Sequence, residues 1–345
     1  MLERLWYRKS GWRWLLAPFA LLFAIISGTR RYAYRHGWRK GYRSSLPVIV
    51  VGNISVGGNG KTPVVVWLVE QLQARGYRPG VVSRGYGGKA PHYPYRLDET
   101  STTAQAGDEP VLIARRCGCP VVVAPKRADA VRLLEQSGEV DIIITDDGLQ
   151  HYGLARDIEL VVVDGARRFG NACLLPMGPL REPVTRLKRV DAIICNGGEP
   201  GKGEYPMQLV ADTPRRVRDD APLAAPLSGP VDALAGIGHP PRFFATLEGL
   251  GYQLDQQAAY GDHHPFDRDE LVGRFASKPL LMTEKDAVKC RAFALENWWY
   301  LPVSAELPAS LLDTLLHKLS ATGKAQGVTK AQDYLSRLSG GEVDR

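Results

Sequence analysis

The stretch Val48-Ile49-Val50-Val51-Gly52-Asn53-Ile54-Ser55-Val56-Gly57-Gly58-Asn59-Gly60-Lys61-Thr62 constrains the fold more than any other. Four β-branched residues predict a buried strand, the glycines a loop, and the apolar spacing from Val64 to Leu72 a helix. A strand entering a helix through such a loop aims successive backbone N–H groups at one point, where the helix N-terminus adds partial positive charge. That point holds phosphate. Gly57, Gly58, Asn59 and Gly60 are expected to cradle nucleotide phosphates, Lys61 to reach the β/γ-phosphates, and the Thr62 hydroxyl to ligand Mg²⁺. Pro63 suits the first helical turn, where its missing N–H costs nothing. Ser55 stands where the general pattern G-x-x-x-x-G-K-[ST] has its first glycine.

A phosphate loop needs a second magnesium-holding group at the end of a neighbouring buried strand. Val140-Asp141-Ile142-Ile143-Ile144-Thr145-Asp146-Asp147 has that form, with Asp146 and Asp147 as metal-ligand candidates. An acid pair after a strand also serves as a helix cap; its position in the same α/β unit, downstream of the loop, favours the metal. Further β-branched runs at Gly80–Val82, Val121–Ala124, Leu160–Asp164 and Ala192–Cys195 alternate with amphipathic segments, which predicts an α/β P-loop domain with a mostly parallel sheet over 46–198. A stretch rich in Pro, Gly and charge over 199–230, with one strand at Met207–Val210, reads as a linker, single or two-stranded. Ala233–Ala235, Leu280–Thr283 and Trp299–Val303, with helices at Pro241–Leu250 and Leu307–Leu319, predict a second, smaller α/β domain over 231–345.

Charge separates the first 45 residues from the rest. They carry ten Lys/Arg against one acid, so the net +7 of the chain leaves −2 for the body and no general footprint for nucleic acid. Leu15–Ile26 is apolar and about 18 Å long as a helix, short of the roughly 30 Å hydrocarbon core. Trp12, Trp14, Trp38 and Tyr32 flank it, and Arg30, Arg31, Arg35, Arg39, Lys40 and Arg43 follow. This predicts a membrane-interfacial helix lying in an anionic cytoplasmic leaflet. No small-residue cleavage site follows Ser27-Gly28, as a signal peptide would require. Five cysteines without CxxC spacing or a companion His cluster read as reduced thiols.

These motifs together resemble the tetraacyldisaccharide 4′-kinase family of lipid A biosynthesis, over nearly the whole chain. The likeness rests on Gly52-Asn53 with Val56–Pro63, Ser83-Arg84-Gly85-Tyr86-Gly87, Gly107-Asp108-Glu109-Pro110, Asp146-Asp147-Gly148-Leu149-Gln150-His151 and Leu175–Pro183. Asp262-His263 and Thr283-Glu284-Lys285-Asp286-Ala287-Val288-Lys289 extend it into the second domain. Ser55 departs from the general loop yet fits the family's version. The resemblance implies transfer of the ATP γ-phosphoryl group to the 4′-hydroxyl of a tetraacylated glucosamine disaccharide 1-phosphate, giving lipid IVA, at the cytoplasmic face of the inner membrane. It further implies that Asp108 and His263 act on the acceptor hydroxyl, and that Lys61, Thr62, Asp146, Asp147 and Glu182 serve the nucleotide and metal. No obligate protein partner is implied.

Taken without the resemblance, several of these residues have plainer readings. Asp108 reads as a helix N-cap, His263 and His264 as surface residues, and Arg181-Glu182 as an exposed ion pair. His264 adjoins His263, so either fits the family's histidine. Two other functions share the phosphate loop: a GTPase or ATPase switch, and a membrane scaffold that merely binds nucleotide. The guanine-reading N-K-x-D is not found, Thr283-Glu284-Lys285-Asp286 having threonine at its first position.

Overall fold

The computed structural model describes residues 6, 7 and 11–324; the remainder of the expected N-terminal segment, 1–5 and 8–10, and the tail of the expected second domain, 325–345, lie outside the described residues. The phosphate-loop strand β1 (Val48–Gly52) is buried along its whole length, as a central parallel strand must be. Its neighbours are β4 (Ile142–Asp146) and β5 (Ile158–Asp164), both parallel to it. Outward on one side lie β2 (Pro79–Ser83) and β3 (Val121–Val123), with the two-residue strand Tyr95–Arg96 antiparallel at the edge. On the other side lie β6 (Ala192–Asn196), β7 (Tyr205–Ala211) and β12 (Val303–Glu306). Because β4 and β5 flank β1, the loops after β1 and β4 open into one crevice at the carboxyl ends of the strands, where open α/β sheets bind ligands.

The second sheet is built from β8 (Val231–Ala235), β9 (Leu254–Ala259), β10 (Leu280–Thr283) and β11 (Trp298–Leu301), all parallel, with Arg215–Arg216 antiparallel at one edge. Its boundaries differ from the expected 231–345. The chain leaves this sheet at Leu301 and returns to the first one: β12 pairs antiparallel with β7, and the helix Ala309–Ser320 places Leu311, Leu315, Leu316 and Leu319 in the same core as β1 and β4. The return follows from pattern. Leu311, Leu315 and Leu319 form a four-residue ridge that needs an apolar sheet face, and the first sheet has one left uncovered there. The expected linker is likewise divided. Tyr205–Ala211 belongs to the first sheet and Arg215–Arg216 to the second, so the small domain is an insertion joined by two adjacent crossings, with Asp212 N–H donating to Pro302 O at 3.0 Å.

The N-terminal helix α1 (Ala17–Arg35) is longer than the apolar run alone predicts, because Ser27-Gly28-Thr29 does not end it; Ser27 Oγ bonds back to Phe23 O at 2.7 Å. With the preceding 3₁₀ turn Gly11–Leu16, this segment is long and apolar enough to cross a membrane by length and composition. Trp12, Trp14, Leu15, Phe19, Leu21, Leu22, Ile25 and Ile26 stay exposed. Both ends nevertheless return to one domain. Trp6 Nε1 donates to Pro176 O at 2.9 Å before the segment, and near its end Arg31 reaches Glu182 at 3.3 Å.

Leu316 is fully buried between the returning helix and the first sheet. Leu316→Ala is expected to destabilise the protein by about 2–5 kcal/mol. Chemical denaturation followed by circular dichroism measures this, and a change below about 1 kcal/mol would show that the helix contributes little to the first core.

Candidate active site

The loop after β1 has the conformation its glycines allow. Gly57 and Gly60 take φ of +106° and +88°, which L side chains rarely adopt. A Cβ on Gly60 would fall 2.4 Å from Asn196 Nδ2. Asn196, at the end of β6, donates from Nδ2 to Asn59 O at 3.1 Å, while Asn59 Nδ2 donates to Ser55 Oγ at 2.8 Å. Ser55 thus has a use that glycine could not supply. Arg167 braces the loop from outside, donating to Gly58 O at 2.9 Å while held by Asp164 at 3.0 Å. Asn196 and Arg167 give no motif signal in the sequence.

Lys61 opens the helix Lys61–Gln73 (α2), and its ammonium lies 3.6 Å from Asp147. Asp147 also receives Arg181 at 3.0 Å, and although burial opposes it, the charges of Lys61 and Arg181 bring its carboxyl down to about 2. Asp146, ending β4, is different: both carboxylate oxygens are buried without a hydrogen-bond partner. Burial, reinforced by Glu109, pushes its carboxyl up to about 7 against the pull of Lys61. Two orphaned buried oxygens beside a phosphate loop are what a cation would satisfy, so Asp146 and Thr62, which lines the same cleft, fit a divalent metal.

Glu182, expected with them on the metal, is buried in a hydrogen-bond network of its own. Its oxygens already accept from Gln150 Nε2 at 2.9 Å, Tyr152 OH at 2.5 Å and Arg31 at 3.3 Å, with Arg186 at 3.4 Å. Glu182 thereby anchors α1, and in place of an exposed ion pair with Arg181 it has a buried network. The spacing of Arg31 to Glu182, 151 residues, left no local signal.

Asp108 is the first residue of the helix Asp108–Cys117 (α3); the N-cap is Gly107, so the plainer capping reading does not hold. Its carboxylate is 5% exposed and faces the second domain, where His263 Nδ1 lies 3.0 and 2.9 Å from its two oxygens. His264 turns away and packs against Tyr260 and, edge-on, Phe266, so of the two neighbours it is His263 that meets Asp108. His263 has φ +59°, a costly backbone state for a residue other than glycine, stabilised by Asp262 Oδ1 accepting from its N–H at 3.1 Å. Burial raises the Asp108 carboxyl, but the His263 hydrogen bond with the Lys285 and Lys289 charges outweighs it and holds the group below its ordinary range. The same bond lifts the His263 imidazole above its own, against burial and Lys285. Lys285 and Lys289 both stand 3.8 Å from Asp108 Oδ2.

A single cleft of about 1760 Å³ holds Lys61, Thr62, Asp146 and His263 on its walls, with Arg30 and Tyr34 of the N-terminal helix at another side. A phosphate loop, an unsatisfied acid and a carboxylate–imidazole pair opening on one space define a P-loop phosphotransferase. The family model for tetraacyldisaccharide-1-P 4′-kinase matches residues 12–320, and the chain belongs to that family. The tetraacyldisaccharide 4′-kinase of Aeromonas hydrophila is 95% identical over 96% of this chain and all of its own, and that of Tolumonas auensis 60% identical over 95% of this chain and all of its own. The crystal structure of LpxK from Aquifex aeolicus in complex with ATP superposes with a TM-score of 0.74 at 27% identity, covering 89% of this chain and 99% of that one. The chain is accordingly an enzyme, a kinase acting on the 4′-hydroxyl of tetraacyldisaccharide 1-phosphate in lipid A biosynthesis. The switch and scaffold readings give way to it.

Gly60→Ala is expected to weaken nucleotide binding at least about tenfold, since the φ of +88° and the Asn196 contact both oppose a side chain. Gly58→Ala, whose Cβ would meet nothing closer than 3.9 Å and which needs no positive φ, is expected to bind within a few-fold of the parent. Titration calorimetry distinguishes the two; equal affinities would show that the loop is not built around Gly60.

Proposed function

We propose that the γ-phosphoryl group of ATP passes to the acceptor 4′-hydroxyl in this cleft, with Asp108 receiving the hydroxyl proton and His263 orienting Asp108. The observation that carries the reading is the Asp108–His263 pair, which joins the two domains beside the phosphate loop. A low-pKa carboxylate suffices as base here, because phosphoryl transfer has a loose transition state in which the hydroxyl proton leaves late. Lys61 supplies positive charge where it develops on the transferring group. Thr62 and Asp146 would hold Mg²⁺, with Asp147 nearby, and the ion when bound supplies charge neutralisation of the β- and γ-oxygens.

The exposed apolar face of Gly11–Ile26 supports a peripheral or monotopic position on the cytoplasmic face of the inner membrane. A helix with both ends held by one domain lies along the bilayer surface more readily than it crosses. Arg30 and Lys40, which line the cleft, would then meet anionic headgroups, and the lipid-linked disaccharide would enter from that side.

Mass spectrometry of purified acceptor incubated with the full-length protein, ATP and Mg²⁺ tests the assignment. Asp108→Ala is expected to lower kcat by about 10²–10⁴-fold with ATP affinity nearly unchanged, and His263→Ala to lower it less. Near-parental turnover by Asp108→Ala would remove the proton acceptor from this mechanism. In the same assay chelation of divalent metal is expected to abolish turnover and Mg²⁺ to restore it.

A further inference from the structure

The helix Glu284–Cys290 (α4) ends its first turn against the catalytic pair, and its side chains are fixed with unusual completeness. Asp286, wholly buried, accepts from Gly236 N at 2.8 Å and Thr283 Oγ1 at 2.6 Å, and from Lys289 at 2.9 Å. That leaves Lys285 aimed at the dyad. Its ammonium has three N–H donors, and three acceptors surround it: Asp262 Oδ1 at 3.0 Å, Glu109 Oε1 at 3.1 Å and His263 Nε2 at 3.4 Å. Burial opposes its charge, but Glu109, Asp108 and Asp262 more than compensate, so it titrates above its ordinary range and stays an ammonium.

An ammonium donates and cannot accept. We propose that Lys285 is a positioning residue that sets the tautomer of His263: by donating to Nε2 it places the single proton of the neutral imidazole on Nδ1, where that proton is donated to Asp108. The inference rests on the reading of Asp108 and His263 as the catalytic pair, and it decides whether Asp108 works as a base. With the proton on Nδ1, the Asp108 carboxylate accepts from His263 and, at Oδ1, from the Glu109 N–H at 2.9 Å, and it still has lone pairs for the acceptor hydroxyl. In the other tautomer the Nδ1 lone pair would face the carboxylate, and the contact at 2.9 Å would hold only if Asp108 were itself protonated and so unable to accept the hydroxyl proton.

The surroundings leave few competitors. The other groups facing His263 are Tyr86, edge-on at 5.0 Å, and Asp262, whose Oδ2 lies 3.7 Å from Nε2, beyond hydrogen-bond reach. Glu109 acts on it through Lys285, and Lys289 through Asp108. Protonating Nε2 would set a second positive charge against the ammonium, so Lys285 disfavours the imidazolium as well as the wrong tautomer.

The test is long-range ¹H–¹⁵N NMR of full-length protein labelled with ¹⁵N-histidine in detergent micelles, followed from pH 5.5 to 9. The parent is expected to show His263 with Nδ1 protonated and Nε2 bare above its midpoint. Lys285→Met removes the cation and leaves Asp262 and Glu109 unneutralised, so the His263 midpoint is expected to rise by about one unit or more. The acid limb of kcat should move up with it, and kcat should fall by on the order of a hundredfold. Lys285→Arg keeps the charge and is expected to restore the midpoint. A proton found on Nε2 in the parent overturns the proposal without any variant, which covers the case in which Lys285→Met fails to fold. An unmoved midpoint in Lys285→Met overturns it too. Failure of the dyad itself would show differently, as turnover retained by Asp108→Ala whatever the tautomer.

Discussion

A carboxylate buried to 5% exposure has to be paired, and for Asp108 each cationic or proton-donating side chain within 4 Å comes from the other domain. His263, Lys285 and Lys289 belong to the small sheet and its loops, while Asp108 begins a helix that covers the large one. Separating the domains would strip that carboxylate of His263, Lys285 and Lys289 at once, leaving it the Glu109 N–H at 2.9 Å. The site and the domain arrangement are therefore one electrostatic problem with one solution. The phosphate loop needs no such closure to exist, since its shape comes from glycine, Ser55, Asn59 and Asn196 within the large domain.

Topology limits how that closure can occur. The small domain is inserted between β7 and β12, and those strands are paired, so its two attachments lie side by side. Two adjacent strands permit rotation about their common line and resist translation. Arg116 sits at that line, donating to Val303 O at 2.8 Å, Ser304 Oγ at 2.6 Å and Glu284 at 2.8 Å. Glu284 immediately precedes Lys285. Arg116 thereby ties the crossing strands to the residue beside the ammonium that touches His263.

Local pattern made the large domain legible. The strands β1, β2, β4, β5 and β6 were expected within one to two residues because continuous β-branched runs have few other buried uses. The return of β12 and the helix after it was not, since Trp299–Val303 reads as one strand; Pro302 breaks it, sending Trp298–Leu301 to one sheet and Val303–Glu306 to the other. Of the site residues, Lys61, Thr62 and Asp146 follow from spacing, whereas Asp108 and His263 had plainer readings until the family resemblance joined them. Glu182 shows the limit of that reasoning, because its placement depends on Arg31, Tyr152 and Gln150, each brought in by tertiary structure.

The network around Glu182 also explains how an apolar helix is built onto this α/β body. Glu182 is buried and carries Arg186 on one side, so the second cation it receives, Arg31, must come from outside the sheet. Tyr34 adds a ring beside Tyr152, at 6.5 Å, on the same carboxylate network. The polar last turns of α1 are thereby bound to the cleft wall, while its first part keeps its apolar side chains in the open. One helix thus has two characters along its length, and the boundary between them falls near Ser27, where the apolar run gives way to Arg30 and Arg31. A substrate with acyl chains at one end and a phosphorylated sugar at the other has the same division, and that match is the chemical ground for the membrane-surface position proposed for this helix.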